Sequence, residues 1–411
     1  MGNDREFLGF VITGHMDHGK STLIGRLLFD TGSLPEGKIE EVRKTCELLG
    51  RKLEFAYVVD HLREEREGGM TIDTAQTFFR HGGRDYAIID APGHKEFMKN
   101  MVTGASQADA AVLIIDASEG LKEQTRRHAY VLAMLGLRDA VVVINKMDLV
   151  GYSEGAFEKL KGEAVAFLSR LGMAPPHVIP ISAMSGENVV KRAESMPWHR
   201  GLTLIESLAG MKPRESLKAK ALRLPVQDVY GFGGKRVAVG RVESGTLAPG
   251  MEAGVLPWGG KVRVGALEGF GSRPERAECG MNAGFADAAG LKRGDVVFAG
   301  SPPFSGRTIR GSVFWLGAKP LAKGELVVCR IATQEVVAKV EAIRNRMDSS
   351  TLEVIEEDAE RLEGTEAAEV TLSASAPLAY DLFSGIPTMG RFVLVRDGLV
   401  EGGGIIARAV K

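Results

Sequence analysis

Cysteine is scarce in this chain, which has three cysteines among 411 residues: Cys46, Cys279 and Cys329. They are odd in number, far apart, and never in the close pairs that bind zinc. Neither a disulfide scaffold nor a cysteine metal site is therefore indicated. We expect reduced thiols that pack inside the protein, as is typical of the cytoplasm.

The chain also lacks an excess of charge of either sign and any long apolar run. Its formal net charge is -1 at pH 7, so no global basic field attracts nucleic acid or anionic membranes, although a local basic groove stays open. The longest apolar stretches, 110–115 and 140–144, are far shorter than a membrane span. A charged start followed by a short apolar run is not a signal peptide. The sequence predicts a cytoplasmic protein without a membrane partner.

What the chain does have is ample apolar material, with 44% hydrophobic residues. Its length of 411 residues predicts about two or three domains. Up to residue 212, short apolar runs alternate with stretches of helical spacing, which is typical of a parallel sheet covered on both faces. Strands are predicted near 7–13, 86–90, 110–116, 140–145 and 178–182.

After a charged linker the composition changes to valine, glycine and turn signals. Short strands of this kind predict small antiparallel barrels or sandwiches, and the break at Ser301-Pro302-Pro303 separates two of them. The predicted fold class is therefore α/β plus all-β. A first domain with a parallel-rich sheet over 1–212 is followed by β-barrel domains over 220–303 and 304–411.

A glycine-rich segment follows the first predicted strand and precedes a run with helical spacing. It fits the phosphate-binding loop pattern at every defined position, with Gly14, His15, Met16, Asp17, His18, Gly19, Lys20, Ser21 and Thr22. In such a loop, backbone N–H groups and the positive end of the following helix surround phosphates. We expect Lys20 to reach the terminal phosphates and Ser21 to bind magnesium. A chance glycine-rich turn with a surface lysine is the plain alternative.

A second segment, at the end of a later strand, indicates the base. Asn145, Lys146 and Asp148 form an Asn-Lys-x-Asp tetrapeptide. The Asp148 carboxylate suits guanine, whose N1 and exocyclic amine both donate, whereas adenine would leave it unpaired. We expect Asn145 to contact the base or connect the loops, and the Lys146 stem to cover the ring. The residues after the last strand that would contact the guanine carbonyl are Ser182, Ala183 and Met184.

Two further segments are candidates for hydrolysis. Asp90 ends a predicted strand, where an aspartate holds magnesium through water, and the Gly93 N–H that follows would bind a terminal phosphate. We expect His94 to orient the attacking water, with a solvated loop histidine as the alternative. Thr71 lies in a charged, glycine-broken segment and would complete the magnesium shell when a γ-phosphate is present.

Together these motifs resemble those of the translation-factor class of GTPases, in a nearly full-length three-domain form. They occur in the family's order, with the phosphate loop followed by 60–73, 90–94, 145–148 and 182–188. The resemblance implies GTP and GDP as ligands and Mg²⁺ as a cofactor. It also implies GTP hydrolysis coupled to a switch that rearranges three domains, with His94 as the catalytic residue.

Within that class the chain resembles two groups. The phrase 343–348, with Thr351-Leu352, is similar to the GTPase subunit of bacterial sulfate adenylyltransferase. The histidines that elongation factors carry in their second and third domains are missing, which also favours this interpretation. The implied partner is the sulfate adenylyltransferase catalytic subunit, which forms adenylyl sulfate from ATP and sulfate.

The alternative group is elongation factor one alpha. The phrases 240–245 and 390–392, together with the histidines of the phosphate loop, resemble this group. The implied partners are aminoacyl-tRNA and the ribosome. A GTP switch for some other protein is a third interpretation, and no motif identifies a nucleotide-exchange partner.

Overall fold

The computed structural model describes residues 7–34, 37, 40, 55, 76–90, 108–173, 177–232, 235–269 and 274–409. The chain forms two compact units, Met1–Arg214 and Glu215–Lys411. Three predicted site residues, Thr71, Gly93 and His94, lie outside the described residues. None of the helices within the described ranges is long and apolar enough to cross a membrane.

A six-stranded sheet forms the centre of the first unit, counted over its described residues. The strands are β1 (Phe7–Gly14), β2 (Gln76–His81), β3 (Arg84–Asp90), β4 (Ala110–Asp116), β5 (Ala140–Asn145) and β6 (His177–Pro180). Their spatial order is β2-β3-β1-β4-β5-β6, and all neighbours except β2 and β3 pair in parallel. Every residue of β4 and β5 is buried, as expected for strands covered on both faces. Loops at the carboxyl ends of the parallel strands therefore lie along one edge.

The edge strand β2 differs from a purely parallel arrangement. It pairs antiparallel with β3 across a tight turn at Gly82 and Gly83, where φ is 59° and 83°. A two-residue connection is too short for the crossover that a parallel pair requires, so the chain forms a hairpin. The strand predicted at 178–182 also ends early, at Pro180. There the chain turns back, and the Gly186 N–H donates to the Ser182 carbonyl at 2.7 Å.

Helices follow the strands of this sheet. The described helices are α1 (Lys20–Asp30), α2 (Glu123–Met134), α3 (Glu154–Arg170) and α4 (Leu204–Ala209). Two of them begin with local capping bonds: the Ser153 hydroxyl accepts from the Ala156 N–H, and Thr203 forms a capping box with Glu206. α1 instead begins directly after the glycine-rich loop, with Gly19 as its N-cap. Its first turn is therefore free of a side-chain cap and faces that loop.

The second unit contains two β-rich cores. The first core is built from β7 (Leu222–Phe232), β8 (Lys235–Arg241), β9 (Thr246–Leu247), β10 (Glu252–Leu256), β11 (Gly260–Arg263), β12 (Leu267–Glu268), β13 (Ala277–Glu278), β14 (Asn282–Phe285) and β15 (Val296–Ala299). Seven of these described strands pair in the order β11-β10-β15-β7-β8-β14-β12, and β9 pairs with β13. Alternate residues such as Ala253, Val255 and Val297 are buried in the core.

The second core begins at Phe304. Its strands are β16 (Phe304–Trp315), β17 (Leu321–Ala322), β18 (Leu326–Ile331), β19 (Gln334–Asp348), β20 (Val354–Ala359), β21 (Arg361–Leu362), β22 (Glu366–Tyr380), β23 (Arg391–Arg396) and β24 (Leu399–Ile405). They pair in the order β18-β23-β24-β16-β22-β19-β20, and β18 also pairs with β19, which closes a ring. The closed ring is a small barrel filled by residues such as Trp315 and Leu372. The predicted fold class is confirmed.

A buried ion pair connects the two β-rich cores of the second unit. The Arg223 side chain is 2% exposed, and its Nε and Nη2 donate to the two carboxylate oxygens of Asp381 at 2.8 and 2.9 Å. A small apolar cluster that includes Val296, Ile386 and Met389 adds burial between the same two cores. Because the ion pair is bidentate, it fixes the orientation of the two side chains as well as their distance. The two cores are therefore held in one arrangement.

Candidate functional site

The glycine-rich loop connects the end of β1 to the start of α1. A side chain at Gly14 would overlap Ile114 of the neighbouring strand β4. Gly19 has a φ of 93°, and a side chain there would overlap the Asn145 amide. Asp17, near the tip of the loop, is exposed. Close approach therefore requires glycine at both positions, and the loop passes over the ends of β4 and β5.

The Lys20 side chain folds back onto the loop that precedes it. Its Nζ donates to the carbonyl of Gly14 at 3.0 Å and to that of His15 at 2.7 Å. Burial lowers the pKa of Lys20 below its usual value. Ser21 and Thr22 follow in the first turn of α1 and are partly exposed. A cationic side chain and a helix N-terminus thus meet in one loop, which is the chemistry that binds a phosphate chain.

The two histidines of the loop occupy different environments. His15 is partly buried, and its Nδ1 lies 2.6 Å from Oε1 of Gln124 on α2. His18 is fully buried, with its Nδ1 3.3 Å from the Asp116 amide nitrogen and 3.4 Å from the Ile114 carbonyl oxygen. Burial lowers the pKa of His18, so its imidazole is neutral at pH 7. His18 therefore holds the loop onto the sheet as a neutral group, and His15 connects the loop to α2.

Asn145, at the end of β5, connects the phosphate loop to the loop after β6. Its Nδ2 donates to the His18 carbonyl at 2.9 Å, and its Oδ1 accepts from the Ala183 N–H at 2.9 Å. The side chain is 2% exposed. Because both ends of the amide are engaged, Asn145 holds the two loops in fixed register. Of the two roles predicted for Asn145, this geometry is that of the loop connection.

The Asp148 carboxylate lies beside the loop after β6. Asp148 is exposed on the short 3-10 turn Met147–Val150. It accepts a hydrogen bond from the buried Ser182 hydroxyl at 2.7 Å. Met184, two residues further on, is 49% exposed. The residues predicted to contact guanine thus come together at the ends of β5 and β6, with a carboxylate whose orientation is set by a buried hydroxyl.

Asp116, at the end of β4, is a site residue that the sequence prediction did not include. Its Oδ2 lies 2.7 Å from Nζ of Lys146, and its Oδ1 accepts from the Ser118 N–H and hydroxyl at 2.7 and 2.6 Å. Burial alone would raise the pKa of Asp116, but the hydrogen bonds from Lys146 and Ser118 hold it below its usual value. Asp116 is the register partner of Asn145. A carboxylate that ends an otherwise apolar strand was the available signal.

Two predicted magnesium ligands lie at the same edge of the sheet. Asp90 ends β3, and its backbone is the register partner of Ile12 on β1, while Ser21 lies in the first turn after that strand and loop. Within the part of the chain that is described, no group of three or more His, Cys, Asp or Glu side chains could hold a metal ion. Mg²⁺ binds through one or two protein oxygens together with substrate phosphates, so a site of this kind would not appear as such a group.

A phosphate loop between a strand and a helix, with an Asn-Lys-x-Asp loop at the same edge of the sheet, defines a P-loop GTPase. Family comparison agrees along the chain. Residues 5–214 match the family described as the elongation factor Tu GTP binding domain. Residues 235–298 match elongation factor Tu domain 2, and residues 308–407 match the GTP-eEF1A C-terminal domain-like family.

Known relatives match this chain over nearly their full length. The elongation factor 1-alpha of Pyrococcus woesei is 40% identical over 424 residues, which cover 99% of this chain and 98% of the relative. That of Archaeoglobus fulgidus is 38% identical over 418 residues (99% and 98%), and that of Methanopyrus kandleri is 37% identical over 430 residues (100% of both). The chain belongs to the elongation factor Tu and elongation factor 1-alpha family of GTP-binding translation factors.

These relatives do not support the sulfate-activation interpretation, and they favour the elongation-factor alternative. The phrase that suggested a sulfate adenylyltransferase subunit lies on β19 and in the turn after it. Its charges pair within the barrel: Arg344 with Asp358 at 3.5 Å, and Arg346 with Glu366 at 2.8 Å. Cross-strand pairing explains the charged residues of this phrase without reference to a partner.

Proposed function

We propose that this GTPase is a carrier that delivers aminoacyl-tRNA to the ribosome. One observation supports the proposal above the others: relatives named elongation factor 1-alpha align over 98 to 100% of their own length. The alignment includes the C-terminal barrel, where 308–407 match the GTP-eEF1A C-terminal domain-like family. A net charge of -1 does not oppose tRNA binding, because a local basic patch suffices. Such a carrier would work in the cytoplasm, as the sequence predicts.

We infer that the nucleotide is held in two parts. Lys20 and the N–H groups of 14–22 bind the phosphates, while Asp148 and the loop 182–184 select guanine. Asp148 is oriented for this by the Ser182 hydroxyl. The Lys146 stem, anchored through its ammonium on Asp116, covers the ring.

Hydrolysis, in this proposal, depends on positioning and charge rather than on covalent chemistry. Ser21, Thr71 and Asp90 would hold Mg²⁺, which neutralises phosphate charge when bound. The Gly93 N–H would bind the terminal phosphate, and His94 would orient the attacking water. Loss of the γ-phosphate would then release the segments that carry Thr71 and Gly93, as in other nucleotide switches.

The carrier role is tested by protection of the aminoacyl ester. A bound ester is shielded from water, so the full-length protein with a non-hydrolysable GTP analogue should slow spontaneous deacylation of aminoacyl-tRNA. The same protein with GDP should protect much less, and uncharged tRNA should not compete at equal concentration. The absence of nucleotide-dependent protection would contradict the carrier role.

A second measurement separates the two partner classes. GTP turnover should rise when ribosomes and aminoacyl-tRNA are added together. It should not rise with a sulfate adenylyltransferase catalytic subunit, ATP and sulfate. Stimulation by the second mixture alone would overturn the proposed function and restore the sulfate-activation interpretation.

A further inference from the structure

Arg26 lies on α1, six residues after Lys20, and its side chain is 17% exposed. Its Nε donates to Oδ2 of Asp30 at 2.8 Å, one helical turn further on. The guanidinium carbon lies 5.4 Å from the ring centroid of Phe29 and 5.1 Å from that of Phe55. An ion pair on one side and two aromatic rings beside it leave the guanidinium little freedom.

The guanidinium reaches from α1 to the loop after β6. Its Nη1 donates to the Met184 carbonyl at 3.4 Å. Gly186 in the same loop has a φ of 85°, and any side chain there would overlap the Arg26 guanidinium. Two independent features of the loop, an oriented carbonyl and a missing side chain, thus accommodate the same arginine.

Met184 follows directly after Ala183, whose N–H is held by the Asn145 side chain. Two consecutive residues of this loop are therefore held from outside it: Ala183 by Asn145 at the end of β5, and Met184 by Arg26 on α1. Asn145 bonds also to the phosphate loop, and Arg26 extends from the helix that begins there. Without the Arg26 contact, the Met184 backbone would lose its bond to α1, and the loop would still be held at Ala183 by Asn145 and at Ser182 by Asp148.

We propose that Arg26 is a positioning residue for guanine recognition: it holds the Met184 backbone so that the loop 182–184 stays aligned with the base carbonyl. This inference rests on the proposed role of that loop in guanine binding. The contact is long and lies near solvent, so its effect is moderate. It acts on the lifetime of the bound nucleotide rather than on hydrolysis.

The test uses stopped-flow release of fluorescent GDP and IDP from the full-length protein. Guanine and hypoxanthine, the base of IDP, both carry the 6-carbonyl that the loop would contact. Only guanine carries the exocyclic amine that would donate a hydrogen bond to Asp148. Arg26→Ala should accelerate release of GDP and IDP by the same factor, about three- to tenfold. Arg26→Lys should recover part of the effect. Arg127→Ala is the matched control, because Arg127 also pairs one turn away along its helix, with Glu123.

A double-mutant cycle distinguishes positioning from simple loss of packing. Gly186→Ala should also accelerate release, because the new methyl group meets the guanidinium and because the left-handed backbone at this position, with a φ of 85°, disfavours a side chain. In the double variant with Arg26→Ala the two effects should be less than additive, since they break the same contact. Full additivity, or an unchanged GDP release rate in Arg26→Ala with normal thermal stability, would overturn the proposal. Failure of the unmodified protein to bind GDP would instead overturn the guanine site itself.

Discussion

The Lys146 ammonium and the Asp116 carboxylate form an ion pair of 2.7 Å at the ends of neighbouring parallel strands, and only 1% of the Asp116 side chain is exposed. The other carboxylate oxygen is occupied by Ser118, so the direction of the pair is fixed. Lys146 also has an uncommon backbone conformation for a lysine, with a φ of 61°. Backbone strain of this kind concentrates at functional sites and persists only where surrounding contacts enforce it. The pair supplies such enforcement.

Replacing Asp116 with asparagine keeps the size of the side chain but removes the charge that anchors Lys146. We expect GDP affinity to fall by about tenfold or more, because the lysine stem no longer holds a fixed position over the base. Equilibrium titration with fluorescent GDP measures this effect. The control is Glu158→Gln, which breaks an exposed pair with Lys161 at 2.9 Å and should leave affinity unchanged. Equal affinities for Asp116→Asn and the unmodified protein would contradict this role.

Asp148→Asn should change the preferred base. An asparagine presents an amide donor where the carboxylate presented only acceptors, which leaves the guanine amine without its partner. Xanthine carries a carbonyl at that position and would be accepted instead. We expect weaker binding of GTP by about a hundredfold or more and a gain in binding of XTP, measured by competition against fluorescent nucleotide. Loss of both nucleotides would indicate a damaged fold and not a changed preference.

His94→Ala tests the predicted water-orienting residue. Removing a group that acts only on the attacking water should slow single-turnover GTP hydrolysis by about 10²–10⁴-fold while GTP affinity is preserved. Nucleotide-dependent protection of aminoacyl-tRNA should persist, since that property requires binding without hydrolysis. A large loss of GTP affinity would show that His94 has a different role.

His18 should make the folded state sensitive to acid. Burial lowers its pKa in the folded protein, so between that value and the usual histidine pKa near 6.5 the unfolded chain binds the additional proton. Stability therefore falls as pH drops through this window, and it is unaffected above it, where both states are neutral. Chemical denaturation at pH 8 and pH 5.5 measures the free energy of unfolding of the unmodified protein and of His18→Gln. Between pH 8 and pH 5.5, the unmodified protein should lose more stability than the variant. The same difference at both pH values would contradict this assignment.

Breaking the Arg223–Asp381 pair should destabilise the second unit strongly. Asp381→Ala would leave a guanidinium that is 2% exposed without its counter-charge, which costs about 3–5 kcal/mol in comparable buried pairs. Denaturant unfolding of the full-length protein measures the change. Arg330→Ala is the comparison, because its pair with Glu335 is exposed and such pairs contribute about 0–1 kcal/mol. Similar losses of unfolding free energy in the two variants would show that the buried pair contributes no more to stability than the exposed one.

Local chemistry explains which parts of the structure the sequence predicts well. Strands β4 and β5 were predicted at the bounds observed, because each is an apolar run that stops at a polar residue. The phosphate loop is equally local, since Gly14, Gly19 and Lys20 act within one turn of chain. The antiparallel pairing of β2 with β3 was not predicted, because β2 is a partly exposed edge strand and lacks the continuous apolar run of β4 and β5.

Residues that act across long sequence distances could not be predicted in the same way. Asp116, Gln124 and Arg26 obtain their roles from partners on other elements, and no short motif records such a meeting. The charged phrase on β19 misled for the opposite reason. It is a local pattern whose partners lie on adjacent strands of its own barrel, so it carries little information about function.

The closure of the C-terminal ring by pairing of β18 with β19 has a further consequence for local motion. Each ring strand has a hydrogen-bonded neighbour on both sides, so the amides of its paired residues take part in a ladder whichever way they point, and each exchanges with solvent only when its ladder opens. Strand β20 pairs only with β19 among the described strands and lacks this constraint. Its outward amides should exchange early, while those of β22 and β24 keep their protons until the whole ring unfolds.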